Sequence, residues 1–241
     1  MAAQSQEGQP LPASAEQLFA LANQARARAG VRPLEWDAAL TDAALKHCER
    51  MVKEGPIGHR YGGEMGLAER TAAAGARFSL IEENVAVGPY PATIHEDWMN
   101  SQGHRENLLN PDVDHVGIAV VAARGVQYAV ADYSRAVAVK TPAQAEAAIG
   151  ELIKMSGLRV RKDPHDARLA CATSNGLPKG LTGDEPGFVM RWQGADLQHL
   201  PQPLVDRLGG GQYREADVGS CPAHSSENSF TAYRLAVLLY R

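Results

Sequence analysis

The chain has 241 residues, enough for one large domain or two ordinary ones. It is 44% hydrophobic and 22% charged, an ordinary globular composition that argues against wholesale disorder. A formal charge of -4, with no basic stripe among aromatics, argues against nucleic-acid binding, and no run of eighteen apolar residues exists to span a membrane.

Residues 1–13 are polar, without the apolar and basic regions of a signal peptide, and read as a flexible leader. From Ser14 the pattern turns helical, with Ser14 as N-cap, Gln17 completing a capping box, and Leu18, Leu21, Ala22 and Ala25 in one stripe. Gly30 stops that helix. A second helix is predicted over 37–54, with Leu40, Ala44, His47 and Met51 on one face, ended by Gly55-Pro56. Ile57-Gly58-His59-Arg60 then begins a loop, and a weaker helix covers 64–74. Residues 80–87 read as a short strand carrying Glu83 and Asn84. A helix follows over 92–100, a break at Gly103, another turn through Leu108, and the turn signal Asn110-Pro111-Asp112. The alternating runs 115–122 and 126–133, joined at Arg124-Gly125, predict a hairpin. Helices flanking a small, largely antiparallel sheet make this half a sandwich of the α+β class.

The pattern resets near 138–142, which divides a domain over 14–138 from one over 139–241. The second is expected to be a small α+β module: a helix over 143–155, strands over 167–173 and 188–192, a short helix after Pro201, and a last strand over 231–240.

The chemistry-bearing residues cluster in the first half. His59, Glu82-Glu83-Asn84 and Trp98-Met99-Asn100-Ser101-Gln102-Gly103-His104-Arg105 each sit where an apolar-periodic segment meets a polar loop. Two imidazoles and a carboxylate brought together suit a divalent metal or proton transfer. Taken singly, each has a plainer reading. His59 could hold a loop carbonyl, Glu83 could accept backbone N–H groups, and His104 and Ser101 could cap a helix. Composition alone favours the cytosol, and Cys48, Cys171 and Cys221 allow one bridge and one spare thiol.

Six blocks in order resemble the CAP superfamily, also called the SCP domain, and in particular its bacterial branch. They are Leu34-Glu35-Trp36-Asp37, Gly58-His59, Glu83-Asn84-Val85-Ala86, the Trp98 to Asn110 segment, Val116-Gly117-Ile118-Ala119-Val120, and Tyr128-Ala129-Val130-Ala131-Asp132-Tyr133. The resemblance covers about residues 14–135 and implies a three-layer α–β–α sandwich with an open cleft. His59, Glu83 and His104 fall on three of the family's four cleft positions. Ser101 stands at the fourth, where animal and plant members carry a second glutamate. Glu82 replaces a customary glycine, which could place a further acid near the cleft or tighten the strand's start.

The resemblance also implies a secreted protein, extracellular or periplasmic, with Met1 an added start on a mature chain. Cys171 and Cys221 then become the expected disulfide, worth roughly 4 kcal/mol in the chain-entropy model, and Cys48 a buried free thiol. By family analogy the cleft would bind a divalent cation, zinc among the candidates and held by His59, His104 and Glu83, or a small ligand such as a lipid or sterol. One alternative is a metal-dependent extracellular hydrolase acting on peptide, lipid or cell-wall material, in which Glu83 is the catalytic group. Another is a cell-surface interaction protein with a vestigial cleft and a wall-binding second domain.

Overall fold

In the first half, apolar residues at helical spacing and apolar residues at alternate spacing close on each other as helices covering both faces of one sheet. The computed structural model describes residues 9–10, 12–222 and 230–241, which divide into two units at Val137–Ala138.

The first unit runs β1 (Gln9–Pro10), α1 (Pro12–Arg28), β2 (Glu35–Trp36), α2 (Ala38–Glu54), α3 (Leu67–Ala73) and β3 (Phe78–Gly88). It continues with α4 (Pro91–Asn100), α5 (Gln102–Leu109), β4 (His115–Ala123) and β5 (Val126–Ala136). The strand order is β1-β4-β5-β3, antiparallel throughout, with β2 added parallel to β4. Period-two alternation sorts the side chains. Ala86, Ile118, Val120, Ala129, Ala131 and Tyr133 face Leu18 and Ala22 of α1, Ile94 and Trp98 of α4, and Leu108 of α5. Val85, Ala119, Val121, Tyr128 and Val130 face Ala44, Cys48, Met51 and Val52 of α2. The unit is therefore a three-layer α–β–α sandwich. Cys48 is a buried free thiol, pushed up to about 12 chiefly by burial.

Asp37 caps α2 by accepting the Leu40 N–H at 2.9 Å. The first turn of α2 lies directly on β4 because position 117 is glycine: a Cβ there would stand 2.1 Å from the Thr41 nitrogen. The leader expected over 1–13 needs correction at its end. Gln9 and Pro10 pair with Ala122 and Val121, and α1 begins at Pro12, where proline's fixed φ suits a first helical position. The remainder of that leader lies outside the described residues.

The second unit contains α6 (Pro142–Met155), β6 (Arg159–Val160), α7 (His165–Ala172), β7 (Phe188–Gly194), α8 (Gln202–Gly209), β8 (Glu215–Cys221) and β9 (Tyr233–Tyr240). Its strands lie in the order β6-β8-β9-β7. Val218, Leu235, Val237 and Leu239 pack on Ile149 and Ile153 of α6 and Leu204 and Leu208 of α8. On the other face Ala236, Leu238 and Tyr240 pack on Ala167, Ala170 and Cys171 of α7. The strand expected over 167–173 is thus a helix. Its buried Ala167, Ala170 and Cys171 fall at helical spacing, and alanine favours helix over strand. Cys171 and Cys221 form a disulfide that ties α7 to β8 across 50 residues. Asp217 accepts the Ala167 N–H at the start of α7, and burial pushes its carboxyl up to about 6.

Gly117→Ala and Gly219→Ala should each destabilise their own unit by about 3 kcal/mol or more, since each added methyl meets backbone instead of a yielding side chain. For Gly219 the nearest atom is the Arg168 nitrogen at 2.2 Å. Gly150→Ala, in α6 with its nearest neighbour at 3.6 Å, should be neutral or stabilising by up to about 1 kcal/mol. Urea unfolding of the three variants measures the contrast.

Candidate functional site

The site is built on β3, the terminal strand of the first sheet, which among the described residues pairs only with β5. Alternation along β3 turns Glu83 with Val85 toward the α2 face and Glu82, Asn84 and Ala86 toward the α5 face. Glu83 lies opposite Asp132 in the β3–β5 register.

Glu83 is buried and both its oxygens are engaged. Oε1 accepts from His59 Nδ1 at 2.7 Å, and Oε2 accepts from the buried Arg70 guanidinium of α3. Asp132 is wholly buried, and neither of its oxygens receives a donor among the described residues. Burial and then the charge of Glu83 raise its carboxyl well above the usual range, against the opposing pull of Arg70. Arg70 Nη2 stands 3.9 Å from Asp132 Oδ1.

His47 fixes the loop that delivers His59. It is fully buried in α2, with Nδ1 2.7 Å from Glu64 Oε1 and Nε2 donating to the Gly58 carbonyl at 2.9 Å. Burial pushes Glu64 up, but hydrogen bonds from His47 and the Tyr61 N–H outweigh it and hold the carboxyl below its ordinary value. Immediately after the anchored Gly58, His59 turns Nδ1 to Glu83 and leaves a side chain that is 61% exposed. The bond to Glu83 raises the His59 pKa against the opposing effect of burial. With Nδ1 held, Nε2 is the nitrogen left to meet a ligand.

His104 comes from the other layer. Its carbonyl accepts from Asn84 Nδ2 at 2.9 Å, while Asn107 Nδ2 donates to the Glu83 carbonyl at 3.1 Å and to Asn84 Oδ1 at 3.0 Å. These two asparagines stitch α5 to the edge strand. The C-terminal end of α5 is held by Arg26, buried in α1, which donates to the carbonyls of Leu108, Asn110 and Val113. Burial lowers the His104 pKa, and the nearby charge of His59 lowers it further.

The other two expected cleft residues behave differently. Glu82 faces away from Glu83 and accepts from Asn110 Nδ2 at 3.0 and 3.1 Å, its carboxyl raised by burial. It braces the segment after α5. Ser101 joins α4 to α5 at the N-cap position, but its hydroxyl makes no capping bond. Among the described residues no group of three or more His, Cys, Asp or Glu is arranged to hold a metal ion. Glu83 is accordingly corrected from metal ligand to orienting group, because His59 and Arg70 occupy its oxygens.

Arg70, His47, Glu64 and Asp132 belong to the site and were not anticipated there. His47 and Asp132 had a signal, one a histidine within the apolar face of α2 and the other the only acid in the run 126–133. Arg70 and Glu64 had none, because a charged residue on a short helix or loop reads as solvated.

An α–β–α sandwich, with Glu83 and its partners on the terminal strand, defines the class of the first unit. Residues 19–133 match the sequence profile of the CAP family, described as the Cysteine-rich secretory protein family, and the chain carries a CAP domain. Two relatives are known from Bacillus subtilis (strain 168). The uncharacterized membrane protein YlbC is 35% identical over 112 residues, 44% of this chain and 31% of that protein. The uncharacterized protein YkwD is 31% identical over 105 residues, 42% of this chain and 40% of that protein. The match therefore spans less than half the length of either relative. An outer surface protein from Borrelia burgdorferi shares the fold, with a TM-score of 0.50 at 21% identity over 54% of this chain and 98% of that one.

Glu83→Ala should cost the first unit about 3–5 kcal/mol, because Arg70 is left buried without its counter-charge. Asp132→Asn should not, since it keeps the side chain's size and leaves the Glu83–Arg70 pair in place. A carboxyl that binds its proton more tightly when folded makes stability fall as pH rises from the ordinary carboxylate range through the raised value. Asp132→Asn should flatten that slope. Denaturant titrations of the wild type and both variants between pH 4 and 8 provide the measurement.

Proposed function

We propose that the protein is an extracytoplasmic binding protein whose cleft takes a divalent cation of the zinc class through His59 and His104. The observation that carries this reading is the Glu83–His59 bond at 2.7 Å. A carboxylate behind Nδ1 fixes the tautomer and ring orientation and raises the basicity of Nε2, the arrangement seen behind metal-binding histidines. His104, with its pKa lowered, contributes a second neutral imidazole near neutral pH. Two protein nitrogens leave the other positions of a tetrahedral ion to water or to donor atoms of a small ligand. A bound zinc would act there as a Lewis acid toward whatever completes its coordination. Nothing about this donor set selects a lipid or sterol.

The hydrolase alternative needs a carboxylate free to take a proton from water. Glu83 is committed on both oxygens, and Glu82 faces Asn110. Binding is therefore the reading we favour. The Cys171–Cys221 disulfide supports an oxidising compartment.

Calorimetric titration with zinc should show one saturable site. His59→Ala and His104→Ala should each weaken it at least tenfold, and Glu83→Gln by about 10–100-fold through the loss of ring orientation. Ser101→Ala should leave it unchanged. Equal zinc affinity in the wild type and a His59→Ala/His104→Ala double variant would refute the proposal. Chelator-sensitive hydrolysis of a peptide or ester panel, abolished by Glu83→Ala, would favour the enzyme instead.

A further inference from the structure

One Asn-Gly pair occurs in the chain, Asn175-Gly176, and the second unit leaves it free to react. It lies in the loop from the end of α7 to β7, at a bend where Ser174, Asn175, Gly176 and Leu177 are all exposed. Among the described residues no hydrogen bond engages the Asn175 amide or the Gly176 N–H. Gly176 adopts a φ of +67°, and the space beside its Cα is open, with nothing within 4 Å of where a Cβ would stand.

The other asparagines of the described residues are placed differently. Asn23, Asn84, Asn107 and Asn110 spend their amides on hydrogen bonds. Asn100 ends α4, and the backbone nitrogen after it, that of Ser101, is tied to the Asp97 carbonyl at 3.0 Å.

The loop is pinned at two points. Arg191 of β7 donates from Nε to the Ala170 carbonyl at 2.5 Å and from Nη2 to the Gly176 carbonyl at 2.6 Å, which joins the bend to the last turn of α7. Farther along, the N–H groups of Thr182 and Gly183 donate to Asp166 at 2.8 and 3.1 Å, at the start of the same helix. The first pin holds the carbonyl of Gly176 and leaves its nitrogen, and the amide before it, uncovered.

We propose that Asn175 is a self-modifying site that loses its amide, becomes aspartate or isoaspartate, and thereby releases the first of these pins. Asparagine is among the thermally labile residues, and its short side chain reaches neighbouring backbone groups. The Gly176 nitrogen gives its proton to a solvent base and bonds to the side-chain carbonyl carbon of Asn175. The bond from that carbon to the amide nitrogen breaks, and the nitrogen leaves as ammonia with a proton from water. Glycine favours the attack because it has no side chain to crowd it. Water then opens the cyclic imide. Opening at one carbonyl gives aspartate; opening at the other routes the backbone through the side-chain carbon, which gives isoaspartate and lengthens the chain by a methylene. Water is the only reactant consumed. The longer backbone carries the Gly176 carbonyl away from a guanidinium that stays anchored on Ala170, while the pin at Asp166 lies beyond the change.

The test incubates the full chain at pH 6 and at pH 8 and follows each asparagine by peptide mass mapping, with isoaspartate labelled by an isoaspartyl methyltransferase. Asn175 should lose its amide before any other asparagine, faster at pH 8 because the attacking nitrogen must first be deprotonated, and should yield both products. Asn175→Gln, whose longer side chain closes a ring far more slowly, should lose the conversion at this position. In hydrogen exchange the aged wild type should show weaker protection of the Thr173 N–H, which bonds to the Ala170 carbonyl at 3.2 Å, and unchanged protection of Thr182 and Gly183. Aged Asn175→Gln should exchange like fresh protein. Retention of the Asn175 amide in the folded chain, under conditions where the urea-unfolded chain loses it, would overturn the site, and so would earlier loss at another asparagine. Unchanged exchange at Thr173 after full conversion would overturn the release of the pin.

Discussion

The first unit is organised around the carboxylate of Glu83, caught between Arg70 and His59 on a terminal strand. A buried carboxylate without compensation is too costly to keep. Burying Glu83 therefore requires α3 to bring a guanidinium from one side and the loop at 58–60 to bring an imidazole from another. Arg70 can neutralise one negative charge, and Asp132, directly opposite across the strand pair, has its carboxyl pushed well above the usual range by burial and by the charge of Glu83. The network thus engages Glu83 on both oxygens and leaves Asp132 without a donor among the described residues. It also holds one exposed imidazole, that of His59, in one orientation.

The second imidazole depends on a different set of bonds. Asn84 and Asn107 hold the start of α5 to the backbone of β3, and Arg26 holds its end. A helix of eight residues leaves most of its terminal carbonyls unpaired by its own turns. Arg26 satisfies that of Leu108 and that of the cap residue Asn110 with a side chain that is itself completely buried. Glu82 and Asn110 add a bond on the same side. The edge strand is consequently gripped on both faces, by His59 and Arg70 on one and by α5 on the other. Two of its carbonyls, those of Glu83 and Val85, are taken by Asn107 and Trp98, which blunts the strand against further pairing.

How much of this could be read in advance depended on the kind of signal. His59, Glu83 and His104 stood at junctions of periodic segments, and Gly-His, Glu-Asn and the Trp98 to Asn110 segment resembled a known family. The division of labour among the acids was not readable in the same way. Period two separates Glu82 from Glu83 only once the strand's register and covering helices are known. Arg26 and Arg70 were invisible because arginine on a helix is ordinarily solvated, and their burial depends on carbonyls and carboxylates far away in the chain. In the second unit β8 escaped notice, since Glu215-Ala216-Asp217-Val218-Gly219-Ser220-Cys221 mixes buried acid, glycine and cysteine where a strand usually shows β-branched residues. The helix at α7 was mistaken for a strand because its eight residues are too few for periodicity to decide.

The two units share one packing device, and comparing them shows what it contributes to the site. In each, a glycine of a central strand lets the first turn of a helix lie on the sheet: Gly117 under Leu40–Thr41 and Gly219 under Ala167–Arg168. In the second unit that proximity is used for Asp217 to cap α7 and for Cys171 to reach Cys221. In the first it sets the depth of α2, so that His47, two turns along, reaches both Gly58 and Glu64. A side chain of ordinary size at position 117 would lift α2 and carry His47 with it. Gly58 would lose its anchor, and His59 would lose the fixed approach that lets Glu83 hold its ring. The orientation of an exposed imidazole therefore traces back to a missing methyl group in the core.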